Sequence, residues 1–288
     1  MRLPRATRPP DGLVLLGQPV AQSLSPLFQN AALRAVGRDL LYTAREVTAV
    51  DIPLVLEACL QSNTGGNVTM PHKRVVYEAA AQRTASAERT GAVNTFWWEQ
   101  QALVGHNTDV DGIKATIRAL CAEGIHGDVV VLGAGGAAAA VLVAISELPD
   151  AVHGRIHVVA RSVHNADVLS SRTGVPAVSQ PSSDAVHWSS VQLVINATPL
   201  GMRVNDPLPL DVAVLSAQSA LFDLVYRREG TALVQAARAR GLRAEDGLRM
   251  LVEQGASAFE CWFNTPAPRG AMWQSLGHAM PPAHEPRA

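Results

Sequence analysis

The stretch Asp128-Val129-Val130-Val131-Leu132 runs directly into Gly133-Ala134-Gly135-Gly136, and an alanine-rich segment follows. A buried strand, a glycine turn and a helix in that order make one βα unit of a parallel sheet. Glycine permits a tight turn and lets the backbone approach a pyrophosphate, which then rests on the helix N-terminus. Ala138 takes the place of the usual third glycine and is small enough for close helix–strand packing. The competing reading is a tight turn that needs only small residues.

The rest of the chain alternates in the same way. Leu13–Leu16 reads as a short buried strand ending at Gly17, and Ser25-Pro26 as an N-cap with proline in the first turn. Leu40–Val47, Asn67–Met70, Arg155–Ala160, Gln192–Ala197 and Ala220–Tyr226 read as further strands. Asp51–Gln61 and Pro71–Ala81 read as helices, and Val93–Trp98 with Ala102–His106 as a hairpin about Glu99-Gln100-Gln101. A helix over Asp109–Glu123, closed by Gly124, falls near the middle. The expected class is α/β with two domains, each with a largely parallel sheet, meeting across a deep cleft.

Composition narrows the function classes. The chain has 288 residues, 48% of them hydrophobic and 17% charged, enough for two cores. Lys+Arg 24 against Asp+Glu 25 gives a net charge of -1, without the basic excess of a nucleic-acid binder. The longest apolar run, Ala137–Ile145, falls far short of the ~20 residues that span a bilayer. Cys59, Cys121 and Cys261 are isolated, so neither a disulfide framework nor a metal site is expected. Pro4, Pro9 and Pro10 break any targeting helix; Met1–Pro10 and Met280–Ala288 read as frayed tails. A cytoplasmic protein with a small-molecule partner, and neither nucleic acid nor membrane, is expected; monomer and homodimer both stay open.

Polar groups gather at the strand ends. Ser23 and Ser25 place two hydroxyls at a helix start, a suitable seat for a carboxylate. Asn67-Val68-Thr69-Met70-Pro71-His72-Lys73 sets an amide and a hydroxyl on one face with an amine just beyond. Lys73 and Lys114 are the only lysines among the basic residues, and a lysine, unlike arginine, can give up its proton. Asn94 and Asp109 complete a set fitted to a small, polyhydroxylated, anionic molecule. Taken singly, Ser25 and Asp109 also read as helix caps, Asn94 as a turn residue and Lys73 as a solvated helix lysine. At the end of the strand after the glycine turn stand Arg161 and Ser162, where an NAD site generally carries an acidic residue. Arginine and a hydroxyl suit a 2′-phosphate, which favours NADP.

These motifs, in this order from Leu13 to Phe263, resemble those of the shikimate dehydrogenase family. The resemblance implies NADPH-dependent reduction of 3-dehydroshikimate to shikimate, with Lys73 and Asp109 as the catalytic pair. It implies Ser23 and Ser25 at the substrate carboxylate, and Thr69, Asn94, Asp109 and Gln254 at the ring hydroxyls, with Asn67 lining the same pocket. Gly133, Ala134, Gly135, Gly136 and Ala137 would cradle the pyrophosphate, with Arg161 and Ser162 at the 2′-phosphate. Thr198 lies in a loop that the family places near the cofactor; Leu224, Tyr226 and Gly247 match positions that touch nicotinamide or substrate. The resemblance also joins the C-terminal helices, 247–288, to a substrate-binding catalytic domain of residues 1–110. Residues 111–246 then form the dinucleotide-binding Rossmann domain. The chain differs from the family pattern at Gln22, Gln29, Ala160 and Ser162, and at Arg227-Arg228 after Tyr226. A relative acting on quinate or an aminated analogue, and a non-catalytic NADP-binding regulatory paralogue, are the alternatives.

Overall fold

In the computed structural model, which describes residues 4–148, 153–227 and 229–277, the strands sort into two separate six-stranded sheets. Described residues 4–112 and 251–277 form one compact unit, and 113–250 the other.

The first unit contains β1 (Gly12–Gly17), α1 (Ser25–Ala35), β2 (Tyr42–Glu46), α2 (Ile52–Gln61), β3 (Thr64–Val68), α3 (Lys73–Ala79) and β4 (Gln82–Arg83). It continues through α4 (Ala85–Thr90), β5 (Thr95–Glu99) and β6 (Ala102–His106) into α5 (Asp109–Leu120). Its sheet runs β2-β1-β3-β5-β6-β4. β1 pairs in parallel with β2 and β3, whereas β5 is antiparallel to both β3 and β6. That reversal comes from the β5–β6 hairpin, whose turn residues Gln100 and Gln101 have φ of 48° and 69°. Positive φ at both positions matches the right-handed twist of the flanking strands. Leu16, Ile52, Val76, Val93 and Phe96, all buried, fill the core between sheet and helices.

The second unit contains β7 (Asp128–Leu132), α6 (Gly136–Ser146), β8 (Ile156–Val159), α7 (Val163–Thr173), β9 (Val178–Gln180) and β10 (Val191–Asn196). β11 (Ala220–Asp223), α8 (Ala232–Ala239) and β12 (Arg243–Glu245) follow. The sheet order β12-β11-β10-β7-β8-β9 is wholly parallel. Read in sequence, this is the 3-2-1-4-5-6 doubly wound order, whose direction reverses beside its first strand, here β7. Apolar residues fill every position of β7 after Asp128, and Val129–Val131 are fully buried, as a strand covered on both faces requires. Two further helices, α9 (Leu248–Phe263) and α10 (Arg269–Ser275), end the described chain.

Several local expectations are corrected. Ser25 is the first residue of α1, and the cap is Leu24, which offers no side-chain acceptor. Instead the Ser23 hydroxyl accepts from the Ser25 N–H at 3.2 Å. β3 starts at Thr64, before the expected Asn67, because Gly65 and Gly66 pair with β1 despite their poor strand propensity. α3 starts at Lys73, two residues after Pro71. The expected frayed N-terminal tail is held from residue 6: the Ala6 N–H donates to the Cys261 carbonyl at 2.8 Å and the Thr7 N–H to Glu99 at 2.7 Å. The tail expected over Met280–Ala288 lies outside the described residues.

Gly66 shows how tightly β1 and β3 meet, since a Cβ there would lie 2.0 Å from the Val14 carbonyl oxygen. Backbone cannot yield as a side chain does, so Gly66→Ala is expected to destabilise by about 1–3 kcal/mol or more. Gly270→Ala, in open space within α10, should be neutral or stabilise by about 0.4–1 kcal/mol. Denaturant midpoints of the two variants against the parent check the pair.

Candidate active site

Lys73 opens α3 and Asp109 opens α5, and their side chains meet, Nζ to Oδ2, at 2.5 Å. The lysine side chain keeps 31% of its surface exposed and the aspartate 14%, so the pair is half-buried yet reachable. The other oxygen of Asp109, Oδ1, accepts from Asn94 Nδ2 at 2.8 Å. One carboxylate thus lies between a cation and a neutral donor, leaving the remaining ammonium protons free to point at a ligand.

Asn94 is itself buried and fully engaged. Its Oδ1 accepts from the Thr108 N–H at 2.7 Å, the Thr108 hydroxyl at 3.1 Å and the Thr95 hydroxyl at 3.0 Å. Its Nδ2 also reaches Gln254 Oε1 at 3.3 Å, while Gln254 Nε2 donates back to the Leu251 carbonyl. Asn67 donates to the Asn94 carbonyl at 3.1 Å and to the Thr95 hydroxyl at 2.9 Å. The helix start at Asp109 is fixed from behind by Asn107, whose Oδ1 accepts the Asp109 N–H at 3.1 Å. Lys73, Asp109, Asn94, Asn67 and Gln254, expected together, therefore form one hydrogen-bonded cluster.

Thr69 stands just past β3, half-buried, and its side chain forms no hydrogen bond among the described residues. Its methyl carbon lies 2.3 Å from where a Cβ on Gly17 would be, so glycine is required there. Ser23 and Ser25 sit at the head of α1, where the Ser23 N–H also donates to the Val20 carbonyl at 3.0 Å. Gln29, one turn further, donates to the Gly255 carbonyl at 2.9 Å, tying α1 to the residue beside Gln254.

The second unit carries the other expected residues. Gly133 has φ of 103°, and a Cβ on it would sit 3.1 Å from the Thr198 methyl and 3.2 Å from the Ala197 carbonyl. Around Gly135 and Gly136 nothing lies within 4 Å of a notional Cβ, and the N-terminus of α6 has no side-chain cap. Uncapped first-turn N–H groups beside open space fit a pyrophosphate. Ala134 is half-buried and Ala137 exposed at the same turn. Arg161 is exposed just past β8, and Ser162 caps α7 by accepting from the Asn165 N–H, which leaves its own O–H free to donate. No carboxylate pairs with Arg161 among the described residues, so its guanidinium is available to a phosphate. Leu224 donates its N–H to the Asn196 carbonyl, and Gly247 donates to Val225; a Cβ on Gly247 would come within 2.1 Å of the Leu224 carbonyl. Burial raises the Tyr226 phenol above its ordinary pKa, so it stays protonated at neutral pH.

Tyr42 and Thr95 belong to the cluster without having signalled it. The Tyr42 hydroxyl donates to Asn67 Oδ1 at 2.8 Å across a separation of 25 residues, and only the pairing of β2, β1 and β3 brings them together. Thr95 lies in a strand of mostly aromatic residues, where a threonine reads as ordinary β composition.

A doubly wound sheet with a bare glycine turn, and an amine–carboxylate pair at a polar site, define a dinucleotide-dependent oxidoreductase. Comparison with known proteins gives the family. Residues 15–96 match the shikimate dehydrogenase substrate binding domain, and 247–276 the shikimate 5′-dehydrogenase C-terminal domain. A shikimate dehydrogenase (NADP(+)) of Methylocella silvestris is 39% identical over 256 residues, 87% of this chain and 90% of that protein. Shikimate dehydrogenase from Aquifex aeolicus superposes with a TM-score of 0.85 at 29% identity, covering 93% and 97% of the two chains. The Thermus thermophilus enzyme, solved with NADP(H) and shikimate, gives 0.79 at 32% identity, covering 92% and 98%. The chain belongs to the shikimate dehydrogenase family.

Tyr42 is buried, and burial holds its phenol far above the ordinary pKa, so it acts only as a neutral donor. Tyr42→Phe keeps the shape and strands Asn67 Oδ1 without that donor. A loss of about 1–3 kcal/mol in unfolding free energy is expected, read from denaturant curves.

Proposed function

We propose that this chain catalyses the reversible NADPH-dependent reduction of 3-dehydroshikimate to shikimate, a step toward chorismate and the aromatic amino acids. The observation that carries the reading is the 2.5 Å contact between Lys73 Nζ and Asp109 Oδ2 in a chain of this family. In this reading residues 1–110, joined by the C-terminal segment 247–288, hold the substrate, and 111–246 hold the cofactor. Free, buried Cys59, Cys121 and Cys261 suit the reducing cytoplasm in which we place the protein.

NADPH, when bound, supplies the hydride that reduces the ketone carbon. The uncapped amides at Gly135 and Gly136 would hold its pyrophosphate, and Arg161 with the Ser162 hydroxyl its 2′-phosphate. Lys73 as ammonium donates the proton that the developing alkoxide needs, and takes it back when shikimate is oxidised. Asp109 keeps the amine aimed, and Asn94 keeps Asp109 from turning away. Asn67, Thr69, Asn94 and Gln254 present amide and hydroxyl groups to the ring hydroxyls, and Ser23 and Ser25 receive the carboxylate. These are groups that bind a small polyol acid and leave proton transfer to one residue.

Two variants separate the parts. Lys73→Arg retains the positive charge but cannot release a proton, so kcat should fall roughly 10²–10⁴-fold with KM for shikimate little changed. Steady-state oxidation of shikimate with NADP reads this directly; an unaltered kcat would mean another group moves the proton. Arg161→Ala removes the proposed phosphate contact, so KM for NADP should rise about tenfold or more while KM for NAD stays put. Equal losses for both cofactors would refute that contact.

A further inference from the structure

The buried carboxylate of Asp223 lies outside everything assigned so far. It ends β11, is fully buried and carries no salt bridge among the described residues. Its Oδ1 accepts from Asn196 Nδ2 at 2.8 Å and from the Val225 N–H at 3.1 Å, and its Oδ2 accepts from the Thr231 hydroxyl at 2.6 Å. Burial raises its pKa, these three donors counter the rise, and Asp246 is the nearby like charge. A carboxyl group kept so deep, without a cation, is a costly choice where an apolar residue would pack.

What it holds explains the choice. Asn196 ends β10, and its Oδ1 accepts from both the N–H and the hydroxyl of Thr198, at 3.1 and 2.7 Å. Its Nδ2 donates to the Leu200 carbonyl at 3.1 Å, and the Leu200 N–H donates to the Thr198 hydroxyl at 3.2 Å. This closed ring of bonds shapes residues 197–200. An asparagine amide has two interchangeable ends, but Asp223 Oδ1 already accepts the Val225 N–H and so presents an acceptor to Asn196. Asp223 therefore dictates that the NH2 of Asn196 faces inward and its oxygen faces Thr198. Thr198 in turn lies against Gly133 of the glycine turn, at the carboxyl ends of β7 and β10, where a doubly wound sheet reverses and binds its ligand. The same carboxylate pins Val225, between Leu224, whose N–H is held by the Asn196 carbonyl, and Tyr226.

We propose that Asp223 is a positioning residue for the cofactor: it sets the Asn196 amide and the Val225 backbone, and through them the two segments, 197–200 and 224–226, that face the bound dinucleotide. The proposal rests on the NADP reading above. Asp223 touches no reacting atom and acts through Asn196 and Val225.

Calorimetric titration of the full chain with NADPH, and separately with shikimate, tests it. Asp223→Ala should weaken NADPH binding about tenfold, or about 1.4 kcal/mol, while shikimate binding stays at the parent value. Asp223→Asn should restore it, because the amide oxygen still accepts from Asn196 and Val225 while its NH2 donates to Thr231. Thr231→Val, which removes the Oδ2 bond together with the cap that the Thr231 hydroxyl gives the Val234 N–H at the start of α8, should lower thermal stability and spare NADPH affinity. Asn196→Ala should show a comparable loss, and the double variant should lose less than the two singles summed, since both remove the bond between these side chains. If Asp223→Ala does not fold, a folded Asn196→Ala must still show the tenfold loss. Parallel loss of NADPH and shikimate binding, additive effects in the double variant, or a folded Asn196→Ala with parent affinity would overturn the role of Asp223. A parent chain that binds no NADPH would overturn the cofactor reading and this proposal together.

Discussion

A buried amide must find a partner for each lone pair and each N–H, and in the first unit the polar cluster about Lys73 and Asp109 is arranged around that demand at Asn94. Its oxygen takes three donors and its NH2 serves two acceptors. Satisfying them fixes the start of α5 against β5 and brings Gln254 of α9 to the same point. The ionic pair of Lys73 and Asp109 inherits its geometry from this neutral group. A half-exposed salt bridge contributes little stability by itself and would wander if left alone. Held by Asn94 on one oxygen, the carboxylate offers the other in one direction only.

On the proposed function, the two units would recognise their ligands by different means. The first uses side chains whose hydroxyls and amides are already bonded to one another, so a polyol enters a preformed polar lattice. In the second, backbone would do most of the work: an uncapped α6, open space about Gly135 and Gly136, and the exposed Arg161. The first arrangement would discriminate by the positions of hydroxyl groups, whereas the second would accept any pyrophosphate and leave the choice between dinucleotides to Arg161 and Ser162.

Much of this was legible in the chain. The β7–turn–α6 unit announced itself because burial on both faces demands an unbroken apolar strand and because a phosphate demands glycine. Lys73 stood out in a chain that otherwise uses arginine. What stayed hidden has a physical cause in each case. Gly65 and Gly66 have poor strand propensity, yet they form β3 because only a bare backbone fits beside Val14. Ser25 resembled a cap, but Ser23 supplies the acceptor. Tyr42 meets Asn67 only through sheet pairing, and Asp223 looks like an ordinary strand-end acid until its three donors are placed around it. Long-range hydrogen bonds between uncharged groups leave no period and no motif behind.

The arginine habit of the chain has a practical side. With two lysines in 288 residues, amine chemistry has two side-chain addresses. Lys114 is bound to Glu147 at 2.7 Å in the second unit, with 18% of its side chain exposed. Lys73 keeps 31% exposed beside the polar cluster. An acylating label followed by mass spectrometry therefore reads the Lys73 amine against an internal reference, Lys114, in the same molecule, without any engineered tag.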